Sequence, residues 1–356
     1  MNAFCERLAL AYPIIQAPMA GVSTLAMAVA VSRAGALGSL ATGASPAAAV
    51  VARQLAELQA ATDKPFNVNV FCHQPPPPDE ARDAQWLAYL RPFFAELGSE
   101  PPASLPEVYP SFLLNDVLLE VLVAARPKVV SFHFGLPTPA QALALRQAGV
   151  LLLACVTSVA EGHAAAALGV DALVAQGIEA GGHRGVFDVA TDTYLPAFTL
   201  TRQLAQTLPL PVVTAGGLMT GADIAAALRA GAAAAQLGTA FIACPESSAN
   251  AAYRAALLQQ PPLPTALTEV ISGRPARGLV NRFMQAIDQP GRPAVAPYSR
   301  AYAAGKALVA AAQQAGEAGF AVQWAGTGHG RARVLPAAEL IRVLAQELRA
   351  TMAKPG

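Results

Sequence analysis

Charge is scarce in this 356-residue chain: Asp, Glu, Lys and Arg make up 13% of it, against 54% hydrophobic residues. The 24 basic and 23 acidic side chains nearly cancel, leaving a formal net charge of +1. That balance offers a polyanion no basic face, so nucleic acid is set aside as a partner. Cysteine is sparse as well. Cys5, Cys72, Cys155 and Cys244 lie far apart with no CxxC pair, which argues for reduced thiols rather than disulfides. Histidines and carboxylates do not cluster at ligand spacing, and no metal is expected. No apolar run reaches the roughly 18 residues of a membrane span. The opening MNAFCERLALAYP carries Glu6 and Arg7 and meets Pro13 too soon for a signal peptide. The expectation is a soluble, cytoplasmic protein, with a homo-oligomer left open.

What is present is a rhythm. Short apolar runs at 13–19, 37–42, 65–71, 129–134, 151–157, 172–177, 211–217 and 233–242 alternate with alanine-rich amphipathic stretches. The runs are mostly continuous in apolar residues, as strands buried on both faces of a parallel sheet are. Helix signals lie between them. Ser158 with Glu161 three residues on, and Thr220 in TGADIAAALRAG, read as N-caps, and Gly169 and Gly231 as stops. Ser45 before Pro46 reads as a third cap. Eight strand–helix units over about 240 residues predict a (β/α)8 TIM barrel, ahead of a doubly wound open sheet.

Two stretches interrupt the rhythm. HQPPPPDEARDAQW (73–86) begins as a stiff connector and continues helix-like. Residues 246–319 read as helices without strand candidates, TALTEVI (265–271) included, and predict a helical cap inserted after strand eight. The expected division is a barrel over 1–245, a cap over 246–319, and a return segment with the last barrel helix over 320–356.

Catalytic groups of a barrel sit at the carboxyl ends of its strands. Read in order, those ends are Met19-Ala20-Gly21, Asn69, His133, Gln176 with the loop IEAGGHRGVF, Gly216-Gly217, and Gln236-Leu237-Gly238-Thr239. Glycines after strands seven and eight are where barrels bind phosphate, on loop amides and a helix N-terminus. Side-chain amides at Asn69 and Gln176, with backbone near Met19, suit the edge of a flat heteroaromatic ring. Together these features point to FMN. Gly181 and Gly182 would let the sixth loop approach that cofactor. No GxGxxG follows an early strand, so a Rossmann site is not expected.

IIQAPMAG, NVNVF, SFHFGLP, AQGIEAGGHRG, TAGGLMTG and QLGTAF, in this order, resemble class I nitronate monooxygenase, formerly 2-nitropropane dioxygenase. The resemblance implies FMN-dependent oxidation of alkyl nitronates, propionate 3-nitronate among them, by O2, giving a carbonyl product and nitrite without reduced nicotinamide. It assigns His183 as the base that takes the α-proton of a neutral nitroalkane. A neutral imidazole can accept that proton, and the imidazolium would help hold the nitronate. His133 in SFHFG favours this branch over related FMN barrels that reduce quinones or enoyl thioesters with NAD(P)H, which remain the alternative. Its ring can equally serve only a structural bond.

Tyr298, Tyr302 and Lys306 recur at i, i+4 and i+8, one face of a helix that could close the pocket over a carboxylated nitronate. Tyr109 could join that wall. SGRPARGLVNRF, with Arg274, Arg277 and Arg282, reads as a turn between cap helices rather than an anion contact. Gly326 and Thr327 return the chain towards the flavin. The family pattern places a glutamine after the glycine, so Thr327 departs from it. His73 and His329 are expected in solvent-facing loops, and His163 on an outer helix without a role.

Overall fold

The computed structural model describes residues 2–44 and 47–353. Its strands are β1 (Ile14–Gln16), β2 (Gly38–Ala41), β3 (Phe66–Phe71), β4 (Val129–His133), β5 (Leu151–Val156), β6 (Ala172–Gln176), β7 (Gly182–His183), β8 (Val212–Ala215), β9 (Ala234–Leu237), β10 (Thr265–Thr268) and β11 (Ala276–Leu279). Helices are α1 (Ala3–Arg7), α2 (Leu25–Arg33), α3 (Ala48–Ala61), α4 (Glu80–Glu96), α5 (Asp116–Ala125), α6 (Pro139–Gln147) and α7 (Val159–Leu168). They continue as α8 (Ala197–Thr207), α9 (Gly221–Arg229), α10 (Ala251–Leu258), α11 (Arg282–Ile287), α12 (Arg300–Gln314) and α13 (Ala337–Met352).

Eight of the strands pair in parallel in the order β1-β9-β8-β6-β5-β4-β3-β2, each inside one of the eight predicted runs. The parallel bridge Ile15↔Leu37 joins β1 to β2 and closes the ring into a TIM barrel. Nearly every barrel-strand residue is buried, because side chains point alternately into the barrel and under the helices. α13 packs against α9 and α2 and so completes the outer layer between the last and first units.

Local signals explain the helices. Ser158 and Thr220 accept bonds from the amides of Glu161 and Asp223, as N-caps do. Only the second is a full capping box. The Glu161 carboxylate instead binds the amide and hydroxyl of Thr157 and the amide of Phe187, tying α7 to the loop beyond β7. Ser45 and Pro46, expected to open the third helix, lie outside the described residues; Ala47 stands at the cap position of α3 without a side-chain bond.

The cap differs from the expected all-helical insert. TALTEVI does not form a helix: Thr265–Thr268 is a strand, paired antiparallel with Ala276–Leu279. Thr265 and Thr268 are β-branched and suit the ladder, and the partner strand decides between strand and helix. β11 also pairs with β7, so a third of this small sheet comes from the glycine–histidine loop of the barrel. SGRPARGLVNRF therefore carries a strand, not merely a turn. Tyr298 precedes the first turn of α12 rather than riding on it. α4, from the insertion after β3, packs its Trp86, Leu90 and Phe94 with Phe283, Ile287 and Leu308 of the cap in one apolar cluster.

Candidate active site

A cavity opens at the carboxyl ends of the barrel strands. Met19, Ala20, Asn69, His133, Gln176, Gly181, Gly182, His183, Gly216, Gly217, Gln236, Leu237, Gly238 and Thr239 all line it, as do Tyr109, Tyr298 and Tyr302. Two predicted residues stand back. Gly21 turns the chain at φ +77°, its carbonyl accepting a bond from the Ser248 hydroxyl. Lys306 places Nζ 4.4 Å from the Tyr109 ring centre and 5.1 Å from that of Tyr302, behind the aromatic wall.

His183 is carried by β7 and gripped from two sides. Its Nε2 lies 2.8 Å from the Ser272 hydroxyl of the cap, a side chain with no exposed surface. Its carbonyl accepts from Gln176 Nε2 at 3.0 Å and faces His133 Nε2 at 3.3 Å. A carbonyl can only accept, so His133 carries its proton on Nε2. Gln176 Oε1 in turn takes the Gly185 amide at 2.7 Å, which leaves one Nε2 hydrogen free. Asn69 donates both amide hydrogens to the backbone and hydroxyl of Ser131 and keeps Oδ1 as an acceptor. Beneath the loop, Arg184 and Asp192 form a buried ion pair at 2.8 Å.

Aromatic rings close the cavity. Tyr298, Tyr302, Trp324 and Phe134 stand 5.3 to 5.9 Å from the His183 ring, all at steep angles. Phe71, Phe132 and Tyr253 also line the cavity. Sequence reasoning did not find Phe71, Phe134, Tyr253 and Trp324. Phe134 is adjacent to His133 in SFHFG, and Trp324 is one of two tryptophans, which were the available signals.

Two histidines expected in solvent are buried. His73 is 2% exposed and meets Tyr298 edge-on at 5.0 Å, because the insertion folds back under the cap. His329 is 4% exposed, with Nδ1 3.2 Å from the Gly326 carbonyl. His163 lies exposed on α7, as expected.

The electrostatics keep His183, His133 and His73 neutral. Burial first, then the neighbouring His133 and the Arg274 guanidinium, pull His183 down to about 3. Burial and Arg274 lower His133 and His73 each to about 4. Arg274 is 9% exposed, stacks 4.7 Å from the Phe134 ring centre and donates to the Val186 carbonyl. Its Nε has no partner, and among the described residues no carboxylate pairs with it. A buried cation without a paired carboxylate is costly and favours neutral neighbours.

At the other end of the cavity, Gly216 and Gly217 hold φ of +129° and +71°. Gly217 is pinned from outside by Arg331, which donates to its carbonyl and pairs with Asp223. At the α9 N-terminus, expected to help bind phosphate, several amides already have side-chain acceptors. Asp223 accepts from Met219 and Thr220, and Glu347 accepts from Gly221. Gly181 lines the cavity and also meets the return segment closely: a Cβ there would lie 2.5 Å from the Gly326 nitrogen. Thr239 Oγ1 accepts from the Gly326 amide at 3.0 Å and can still donate its own hydrogen. Thr327 is not part of the lining and bonds through its amide to Glu179. Among the described residues, no helix is long and apolar enough to cross a membrane.

The chain matches the family model described as nitronate monooxygenase over residues 2–347. A nitronate monooxygenase of Pseudomonas aeruginosa is 53% identical over 348 residues, covering 97% of this chain and 99% of the relative. Among solved structures, the nitroalkane oxidase from Streptomyces ansochromogenes superposes with a TM-score of 0.90 at 39% identity, covering 99% of both chains. FabK from Thermotoga maritima superposes at 0.74 with 25% identity, covering 99% of this chain and 97% of its own. The barrel and the ordered run of strand-end residues agree with this likeness, and the chain belongs to the nitronate monooxygenase family.

Proposed function

We propose that the protein oxidises alkyl nitronates, propionate 3-nitronate among them, with O2 and bound FMN, releasing a carbonyl product and nitrite. The carrying observation is a neutral imidazole, His183, fixed at the cavity wall beneath a ring of aromatic side chains. In this reading residues 1–245 form the cofactor-binding barrel, 246–319 the substrate-facing cap, and 320–356 the return segment and last helix.

The residues present fit FMN. Loop amides around Gly216, Gly217 and Gly238, with the Thr239 hydroxyl, would hold its phosphate. Asn69 Oδ1, the remaining hydrogen of Gln176, the Gln236 carboxamide and backbone at Met19 and Ala20 would meet the ring edge. When bound, FMN supplies the electron acceptor between nitronate and O2.

The chain's own residues do the rest. His183, neutral at working pH, takes the α-proton of a neutral nitroalkane, and the imidazolium so formed holds the anion beside it. His133 and Gln176 fix the backbone that carries it. Tyr109, Tyr298 and Tyr302 exclude water, and Lys306, seated behind two of them, attracts a carboxylate at the far end of the substrate. Steady-state oxygen consumption with nitronate and with neutral nitroalkane tests the reading; oxidation of neither substrate would defeat it.

A further inference from the structure

We propose that Ser272 is a positioning residue that fixes His183 as the Nε2–H tautomer and so leaves Nδ1 as the proton acceptor facing the cavity. The inference rests on the functional reading above.

Ser272 Oγ has one hydrogen and three neighbours. It lies 3.1 Å from the Arg274 carbonyl, 3.5 Å from the Arg274 amide and 2.8 Å from His183 Nε2. The carbonyl can only accept, and among the described residues no other donor reaches it. A buried carbonyl left without a donor costs roughly 1–3 kcal/mol, so the serine hydrogen is committed to it. Ser272 then faces the imidazole with lone pairs alone. Nε2 must donate, and the proton that a neutral ring carries is placed there.

The other ring nitrogen is left free. Nδ1 bonds to no described residue, yet it is not among the buried polar atoms sealed off without a partner, and His183 lines the cavity. Ser272 itself does not line the cavity and touches neither the substrate space nor a barrel strand end. It acts through His183. The step it supports is simple: the α-carbon–hydrogen bond breaks, its electron pair stays on the substrate as nitronate, and the proton goes to Nδ1. The imidazolium then donates from Nε2 to Ser272, which accepts it without moving.

Nitrogen NMR of the ¹⁵N-histidine-labelled holoenzyme tests the tautomer directly, with His183→Asn used to assign the signal. The expected result at neutral pH is a protonated Nε2 and a bare Nδ1. A proton on Nδ1, or a mixture, would overturn the proposal. Kinetics supply the second arm. Ser272→Ala is expected to lower kcat for a neutral nitroalkane roughly tenfold more than for the ready-made nitronate, since only the former needs the base. Equal losses on both would reduce Ser272 to packing and overturn the role. If the wild-type enzyme consumes oxygen with neither substrate, the functional reading fails, whereas the tautomer is read without turnover.

Discussion

His183 stands opposite Ala276 in an antiparallel ladder, so the candidate base belongs to the cap sheet as much as to the barrel. Its neighbours in β11 and the Ser272 turn decide where the ring points, and Gln176 and His133 decide where its backbone sits. Replacing His183 with Asn keeps a polar group of similar reach but removes the base. Oxidation of a neutral nitroalkane should fall by a factor of about 100 or more, and nitronate oxidation by far less. Parallel kinetics on the two forms of one substrate check this, and equal loss would remove the general-base role.

Arg274 supplies a prediction of sign. Its buried charge adds to desolvation in keeping His183 deprotonated, so the acidic limb of kcat/KM for a neutral nitroalkane should lie well below pH 6.5. Arg274→Met removes that charge and should move the limb to higher pH. A pH profile of the variant that stays in place or moves lower would contradict the electrostatic account.

Burial draws Lys306 down from its ordinary value. It lies behind Tyr109 and Tyr302. Lys306→Met should raise KM for propionate 3-nitronate about tenfold, and should raise KM for an uncharged nitronate of equal length much less. Comparing the two KM values reads the difference.

His73 bears on stability. Its folded value of about 4 lies below the 6.5 of an exposed imidazole, so between those values the unfolded chain binds a proton that the folded one does not. Its contribution is therefore complete above pH 6.5 and is lost as pH falls towards 4, at roughly 1.4 kcal/mol per pH unit. Urea unfolding from pH 7 to pH 5 should show the loss, and His73→Gln should flatten the slope by about one proton.

Much of this was legible beforehand. All eight barrel strands and the strand-end residues follow from apolar runs punctuated by glycine. What was not legible depends on the path of the chain in space. TALTEVI has no period long enough to separate strand from helix, and its partner ARGL lies beyond a turn. His73 and His329 look like loop histidines because nothing local tells that the insertion and the return segment fold over them. Ser272 and Arg274 sit about 90 residues from His183 in a stretch that reads as a turn. Gly181 was read as a close approach to a cofactor; its close approach to the return segment is a second neighbour that the sequence did not reveal.

That neighbour can be tested. A methyl at Gly181 would press on backbone at Ala325 and Gly326, which cannot rotate away as a side chain could. Gly181→Ala should lower Tm, by a cost of about 1–3 kcal/mol, and weaken flavin retention by displacing the return segment. Thermal unfolding with and without added FMN separates the two effects.

Oxygen uptake by the flavin-loaded protein given propionate 3-nitronate, without and with NADH, tests the central claim most directly. The account predicts rapid uptake with nitrite release and no requirement for NADH. Silence towards the nitronate, with NADH bleaching the flavin, would contradict it and point instead to a reductase built on the same barrel.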